Sequence, residues 1–322
     1  MKNSERVFCL DREWTRKLED IRKNMAKAVV GKQEAIDLIL TAMIAGGHVL
    51  LEDVPGLGKT TMVWALARSV DCTFSRIQFT PDVLPSDVTG YTMFNLKTGE
   101  RETVPGGAMA QIVLADEINR TSPKTQSSLL EAMQENQVTI DGVSTPLPQP
   151  FMVLATQNPV ELTGTYPLPE AQLDRFLMRI QMGYPSKSEE LDILTRYQKN
   201  ERPALAPVAS AQDVLALRAA HAQVRCQTAV LDYIVSLCAA TRENELVALG
   251  VSPRGSLALM HASMAYAMLS GRDYVMPEDV QRLVQPVLAH RLVLTAQAGF
   301  KNVTAQKLLE DLVRTVPVPG VS

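Results

Sequence analysis

Val49-Leu50-Leu51-Glu52 runs directly into Asp53-Val54-Pro55-Gly56-Leu57-Gly58 and then Lys59-Thr60-Thr61, after which apolar residues recur at Met62, Ala65, Leu66 and Val70. Few folds accommodate that order. The first run reads as a buried strand, the second as a turn and the third as the opening of an amphipathic helix. Gly56 and Gly58 allow successive backbone N–H groups to face inward, and the turn delivers them to a helix N-terminus carrying about half a positive charge. The unit therefore belongs on a parallel sheet and suits a phosphate. The pattern G-x-x-x-x-G-K-[ST] is met except at its first position, where Asp53 stands. An acid there either repels a phosphorylated ligand or turns away to cap the loop, and the residues leave both open.

The rest of the chain fits that start. Short apolar runs at Val49 to Glu52, Phe74 to Phe79, Ile112 to Asp116, Phe151 to Thr156 and Leu177 to Met182 alternate with helical patterns, which predicts an α/β unit with a parallel five-stranded sheet. Thr98-Gly99 within Tyr91 to Pro105, and Asp141-Gly142 within Gln137 to Pro150, predict two inserted hairpins. Beyond Pro185 the pattern is helical, near 187–199, 212–222, 226–243, 253–270 and 277–290, with Pro203 and Pro207 enforcing an extended stretch. The expected division is an N-terminal helical segment at 1–27, an α/β core at 28–185, a linker at 186–207 and an all-helical lid domain at 208–322. The charged stretch Lys2 to Lys27 reads as a solvated amphipathic helix.

Composition excludes several classes. The 322 residues, 46% hydrophobic, suffice for two cores, and a formal charge of −3 lacks the basic excess that drives nucleic-acid binding. Phe 7, Tyr 7 and Trp 2 offer few stacking platforms for bases. Cys9, Cys72, Cys226 and Cys238 form no C-x-x-C pair, so neither a zinc ribbon nor a disulfide framework is encoded and a reducing, cytoplasmic setting is expected. Leu38 to Leu51 is the most apolar stretch and is too short to span a membrane, which takes about 20 residues. The first twenty residues hold no signal-peptide core.

Ile112-Val113-Leu114-Ala115 ends in Asp116-Glu117, two acids at the strand end where open α/β sheets bind ligands. Asp116 suits a magnesium ion, and Glu117, turned to the other side by the strand's alternation, suits orientation of an attacking water. The run Phe151 to Thr156 ends in Gln157-Asn158-Pro159. Asn158 there is either a polar contact to water or phosphate or an ordinary turn starter before proline. His48, His221, His261 and His290 share no ligand spacing, and Met260, Met264 and Met268 read as a core stripe.

With these residues in place the chain resembles the AAA+ ATPases, and among them the MoxR family, over about Val29 to Arg291. Val30-Gly31-Lys32-Gln33 resembles the box that contacts adenine, Pro55-Gly56-Leu57-Gly58-Lys59-Thr60 the Walker A loop, and Asp116-Glu117-Ile118-Asn119-Arg120 Walker B; Asn158 falls at sensor 1. Pro169 to Phe176 matches the segment carrying the arginine finger, at Arg175, and Ser252-Pro253-Arg254 matches sensor 2. Pro105-Gly106-Gly107-Ala108-Met109 departs from the family's P-G-P-I-F. The resemblance implies ATP and Mg²⁺ as cofactors. ATP would sit between core and lid: Lys59, Thr60 and the loop including Thr61 would hold phosphate, Thr60 and Asp116 the metal, Glu117 would activate water, Asn158 would sense the γ-phosphate, and Arg254 would report it to the lid. Arg175 would act on a neighbouring subunit, with a salt bridge to Asp174 or Glu170 as its bland alternative. A hexameric ring, a von Willebrand factor A domain partner and a client protein complex, including metal-cofactor insertion, are further expectations of that resemblance. Rival readings are a nucleotide-dependent scaffold with negligible turnover and a chelatase- or helicase-like motor.

Overall fold

The computed structural model describes residues 12–54, 56–97, 99–158, 164–198 and 204–320. Its centre is a parallel five-stranded sheet in the order Phe74–Gln78, Ile112–Asp116, Met152–Gln157, Val49–Glu52, Met178–Ile180. Strands alternate their side chains, and both faces are covered. Val49, Leu51, Ile112, Leu114, Met152 and Leu154 join one apolar cluster, while Leu50, Val113, Ala115, Val153 and Ala155 join the other. Burial on both sides is what near-continuous apolar strands require.

All the strands point one way, so the register decides what meets at the sheet's edge. Glu52 pairs with Gln157, and Gln78 with Asp116, which brings the residues following the three central strands together at the C-terminal edge. Both predicted hairpins form as Gly90–Phe94 against Arg101–Pro105 and Gln137–Ile140 against Val143–Pro146. The Gly106-Gly107 departure fits a close approach: a Cβ on Gly106 would lie 2.4 Å from the Val88 carbonyl oxygen, and one on Gly107 2.5 Å from Ile77 Cγ1. Gly107 and Ala108 donate N–H bonds to the carbonyls of Asp87 and Val88 in the short helix Pro85–Thr89.

The N-terminal helix, Arg12–Ala28, is amphipathic, but its apolar stripe is not left to solvent. Leu18, Ile21 and Met25, at helical spacing, are buried in the main core, and Asn24 donates to Ser69 Oγ at 3.0 Å and to the Ala206 carbonyl at 3.0 Å. The helix thereby covers Lys59–Ser69, the helix that follows the glycine turn. Its charged face carries Arg22, which pairs with Asp37 at 2.7 Å.

A helical lid domain completes the fold. Ala211–His221, Thr228–Glu243, Pro253–Leu269 and Pro277–Leu288 lie close to the predicted positions, and Ala296–Phe300 and Ala305–Thr315 add two helices that were not predicted. Pro253–Leu269 packs on Gln33–Ile44, so lid and sheet share one apolar cluster through Ile36, Ile39, Leu259 and Ala262. Among the described residues no helix is long and apolar enough to cross a membrane.

Candidate active site

The turn between Val49–Glu52 and Lys59–Ser69 carries positive φ at Gly56 (+85°) and Gly58 (+83°). Among the described residues, chain neighbours aside, no atom lies within 4 Å of where either Cβ would be, so these glycines serve backbone conformation rather than close packing. Lys59, Thr60 and Thr61 form the first turn of the helix, whose free N–H groups favour an anion. Pro55 lies outside the described residues. Lys59 Nζ donates to the Asp53 carbonyl at 2.7 Å. Partial burial pulls the Lys59 pKa down, while Asp116, Asp53 and Glu117 pull it up.

Asp53 itself is turned away from the loop. Its Oδ2 accepts the N–H groups of Met182 and of Gly183, the latter at 3.3 Å, just beyond the edge strand. The sequence left the acid's direction open, and the backbone amides settle it. They also satisfy a carboxylate that would otherwise oppose a phosphate.

Asp116 ends its strand half-buried, with Oδ1 accepting from Thr156 Oγ1 at 2.6 Å and Oδ2 held by Arg76 at 2.7 Å. Thr156 Oγ1 also accepts the Glu117 N–H at 2.8 Å. Glu117 lies past the strand in left-handed backbone, φ +56°, so that turn, rather than strand alternation, sets its direction. Such a residue costs about 1–2 kcal/mol against ordinary backbone. Its carboxylate accepts from Gln78 Nε2 at 3.1 Å and pairs with Arg120 at 3.4 Å. Asn158 follows the strand lying between the Lys59 loop and the two acids. Asp116 and Thr60 present hard oxygen donors of the kind magnesium takes, and Arg76 against Asp116 Oδ2 marks that oxygen as a seat for positive charge.

Thr156, Gln78 and Arg76 were not singled out from the sequence. Thr156 was visible as the polar end of an otherwise apolar strand. Arg76 and Gln78 stand two apart on a neighbouring strand, the period that puts both on one face.

Val30 and Gly31 lie ahead of helix Gln33–Ile44, and Lys32, buried, donates to the carbonyls of Met182 at 3.0 Å and Gly183 at 2.9 Å. The Val30–Gln33 box thus meets the same dipeptide that Asp53 holds.

The two remaining arginines stand elsewhere. Leu177 donates its N–H to the His48 carbonyl, and Met178 pairs with Val49, so Asp174 and Arg175 lie at the N-terminal edge of the sheet, opposite the glycine turn. Arg175 makes no ion pair among the described residues; Asp174 pairs with Arg291 at 2.8 Å and Arg254 at 3.7 Å. Arg254, expected to report the γ-phosphate to the lid, pairs with Asp174 in this structure. It stands half-exposed in the first turn of Pro253–Leu269, where Asp174 offsets the repulsion between a cation and a helix N-terminus. Arg291, buried, also donates to the Phe176 carbonyl at 2.8 Å and pins the lid to this segment.

A parallel sheet with strand order 2-3-4-1-5 among its five members, a glycine turn feeding a helix, an acid pair at the end of the third strand and a helical lid define the AAA+ class of ATPases. The comparisons agree. The profile of the ATPase family associated with various cellular activities (AAA) matches residues 48–178, and that of the AAA lid domain matches residues 239–312. Chaperone MoxR1 of Mycobacterium tuberculosis is 43% identical over 305 residues, 92% of this chain and 81% of that protein. Uncharacterized protein YeaC of Bacillus subtilis is 53% identical over 309 residues, 94% of this chain and 97% of its own. A solved structure of a Cytophaga hutchinsonii protein superposes with a TM-score of 0.90 at 39% identity, covering 96% of each chain. The chain belongs to the MoxR family of AAA+ ATPases.

Proposed function

We propose that this chain binds ATP at the Gly56–Thr61 turn, hydrolyses it, and uses the cycle to remodel or activate a client protein complex in a chaperone-like manner. The observation that carries the reading is the convergence of Lys59, Asp116, Glu117 and Asn158 on one sheet edge, with Arg175 and Arg254 on the opposite edge.

The backbone N–H groups from Gly56 to Thr61 receive phosphate oxygens, and Lys59 exchanges the Asp53 carbonyl for them. Thr60 and Asp116 would hold magnesium, which when bound neutralises charge on the phosphates. Glu117, fixed by Thr156, Gln78 and Arg120, orients the water and accepts its proton. Asn158 places an amide between the phosphate loop and that acid.

Arg175 and Arg254 are a sheet's height from their own chain's loop, which supports service to an adjacent subunit. Head-to-tail packing of identical copies delivers them there, and a closed ring, a hexamer by family resemblance, repeats the contact. The same resemblance supports a von Willebrand factor A domain protein as partner. Metal-cofactor insertion is one form such client work takes.

A phosphate-release assay with a parallel ATP-binding measurement tests the reading. Glu117→Gln should abolish release while ATP still binds. Equal release by variant and wild type would overturn the assignment of Glu117, and binding without release by the wild type would favour the scaffold reading.

A further inference from the structure

The acid at the first Walker A position and the lysine of the adenine-type box are joined through a dipeptide that belongs to neither motif. Lys32 is 9% exposed, and among the described residues its ammonium is held by carbonyls rather than by a carboxylate: Met182 O at 3.0 Å and Gly183 O at 2.9 Å. The N–H groups of those same two residues donate to Asp53 Oδ2. A cation therefore grips the carbonyls of Met182–Gly183 while an anion grips its N–H groups, and across the one peptide that joins the two residues each polarises the amide in the sense that strengthens the other. The Asp53 carbonyl also accepts from Lys59 Nζ at 2.7 Å, the contact that Lys59 gives up for phosphate.

We propose that Lys32, Met182–Gly183 and Asp53 form one positioning unit that fixes the base-contacting box and the phosphate loop relative to each other. The proposal deepens the ATP reading above and rests on it. Asp53 then supplies what a glycine at that position lacks, an anchor for the loop outside the loop. Gly183, at φ +64°, sits in backbone that presents both its N–H and its carbonyl to the unit. The consequence is specific: Lys32, on the base side, should govern affinity for the phosphates.

The test uses the full chain and a fluorescent ATP analogue, displaced in one series by inorganic triphosphate and in another by adenosine. Lys32→Met and Asp53→Ala should each weaken triphosphate binding on the order of tenfold, the scale of losing charge-assisted hydrogen bonds. The double variant should be no weaker than the worse single one, because both cut the same connection. Lys32→Gln, which keeps N–H donors for a carbonyl, should recover part of the loss. Circular dichroism and a thermal melt check each fold, with Asp53→Asn replacing Asp53→Ala if the latter does not fold.

Unchanged triphosphate affinity in Lys32→Met would overturn the unit: with adenosine binding lost the lysine serves the base alone, and with it kept the lysine serves neither. Losses that multiply in the double variant would overturn it as well. A wild-type chain that binds neither probe would overturn the ATP reading, and the unit with it.

Discussion

His48 shows how a residue with no part in the chemistry can set the conditions under which the site exists. It is buried behind the sheet, where its Nδ1 accepts the Val153 N–H and its Nε2 faces the Met133 carbonyl, both at 3.0 Å, so the neutral ring protonated at Nε2 satisfies both. Burial first, with Arg218 nearby adding to it, brings its pKa down from 6.5 to about 4. A histidine depressed in this way stabilises the fold fully above pH 6.5, and that contribution falls away as the pH drops towards 4. Its ceiling is about 3 kcal/mol at about 1.4 kcal/mol per pKa unit. Urea midpoints should fall between pH 7 and pH 4.5, and part of that slope should disappear in His48→Gln. The remainder belongs in part to His290, which burial also depresses. Thr156 offers a second measurement. Thr156→Val removes the hydroxyl that joins Asp116 to the Glu117 amide, and turnover should fall by about tenfold or more while ATP binding persists. Glycines, lysine and acids of the site were legible in the sequence because their spacing is local. Thr156, Gln78 and the direction of Asp53 were not, because each depends on a partner about 40 to 130 positions away that only the sheet brings near.

Elements were legible in proportion to their length and periodicity. All five sheet strands stand where apolar runs predicted them, but Leu177 to Met182 narrows to Met178–Ile180. The reason is chemical: the amides of Met182 and Gly183 are taken by Asp53, and their carbonyls by Lys32, so no strand pairing is left for them. Pro85–Thr89 is too short to show a period and is held by amides of Gly107 and Ala108, some twenty residues onward. The N-terminal helix was legible as amphipathic but not as core, since a stripe of Leu18, Ile21 and Met25 does not name what covers it. Ile21→Ala should cost about 2–5 kcal/mol, read from denaturant unfolding. The first hairpin shows the opposite behaviour. Phe94 is 57% and Leu96 90% exposed, so replacing both with serine should leave stability within about 0.5 kcal/mol and phosphate release unchanged. A loss of several kcal/mol there would mean that the tip is covered within a single chain.

For the whole molecule the decisive fact is the separation of the two edges. On the proposed function, Arg175→Ala and Lys59→Ala should each be inactive alone, the first for want of a finger and the second for want of a phosphate ligand. Mixed under conditions where mixed rings demonstrably form, they should regain phosphate release at those contacts where an intact loop meets an intact finger. Release no greater than the sum of the two backgrounds would remove the support for a neighbour's arginine. Arg291 ties the lid to the finger segment through Asp174 and Phe176, so a lid that shifts carries Asp174 and Arg175 with it. In the proposed head-to-tail packing the opposed edges also give each chain a direction, as a link has a hook and an eye. An open arc of such links ends in one unused hook and one unused eye, and therefore holds one fewer complete site than it has subunits. Closing the arc adds a working site without adding a chain, so activity per subunit becomes a count of closure.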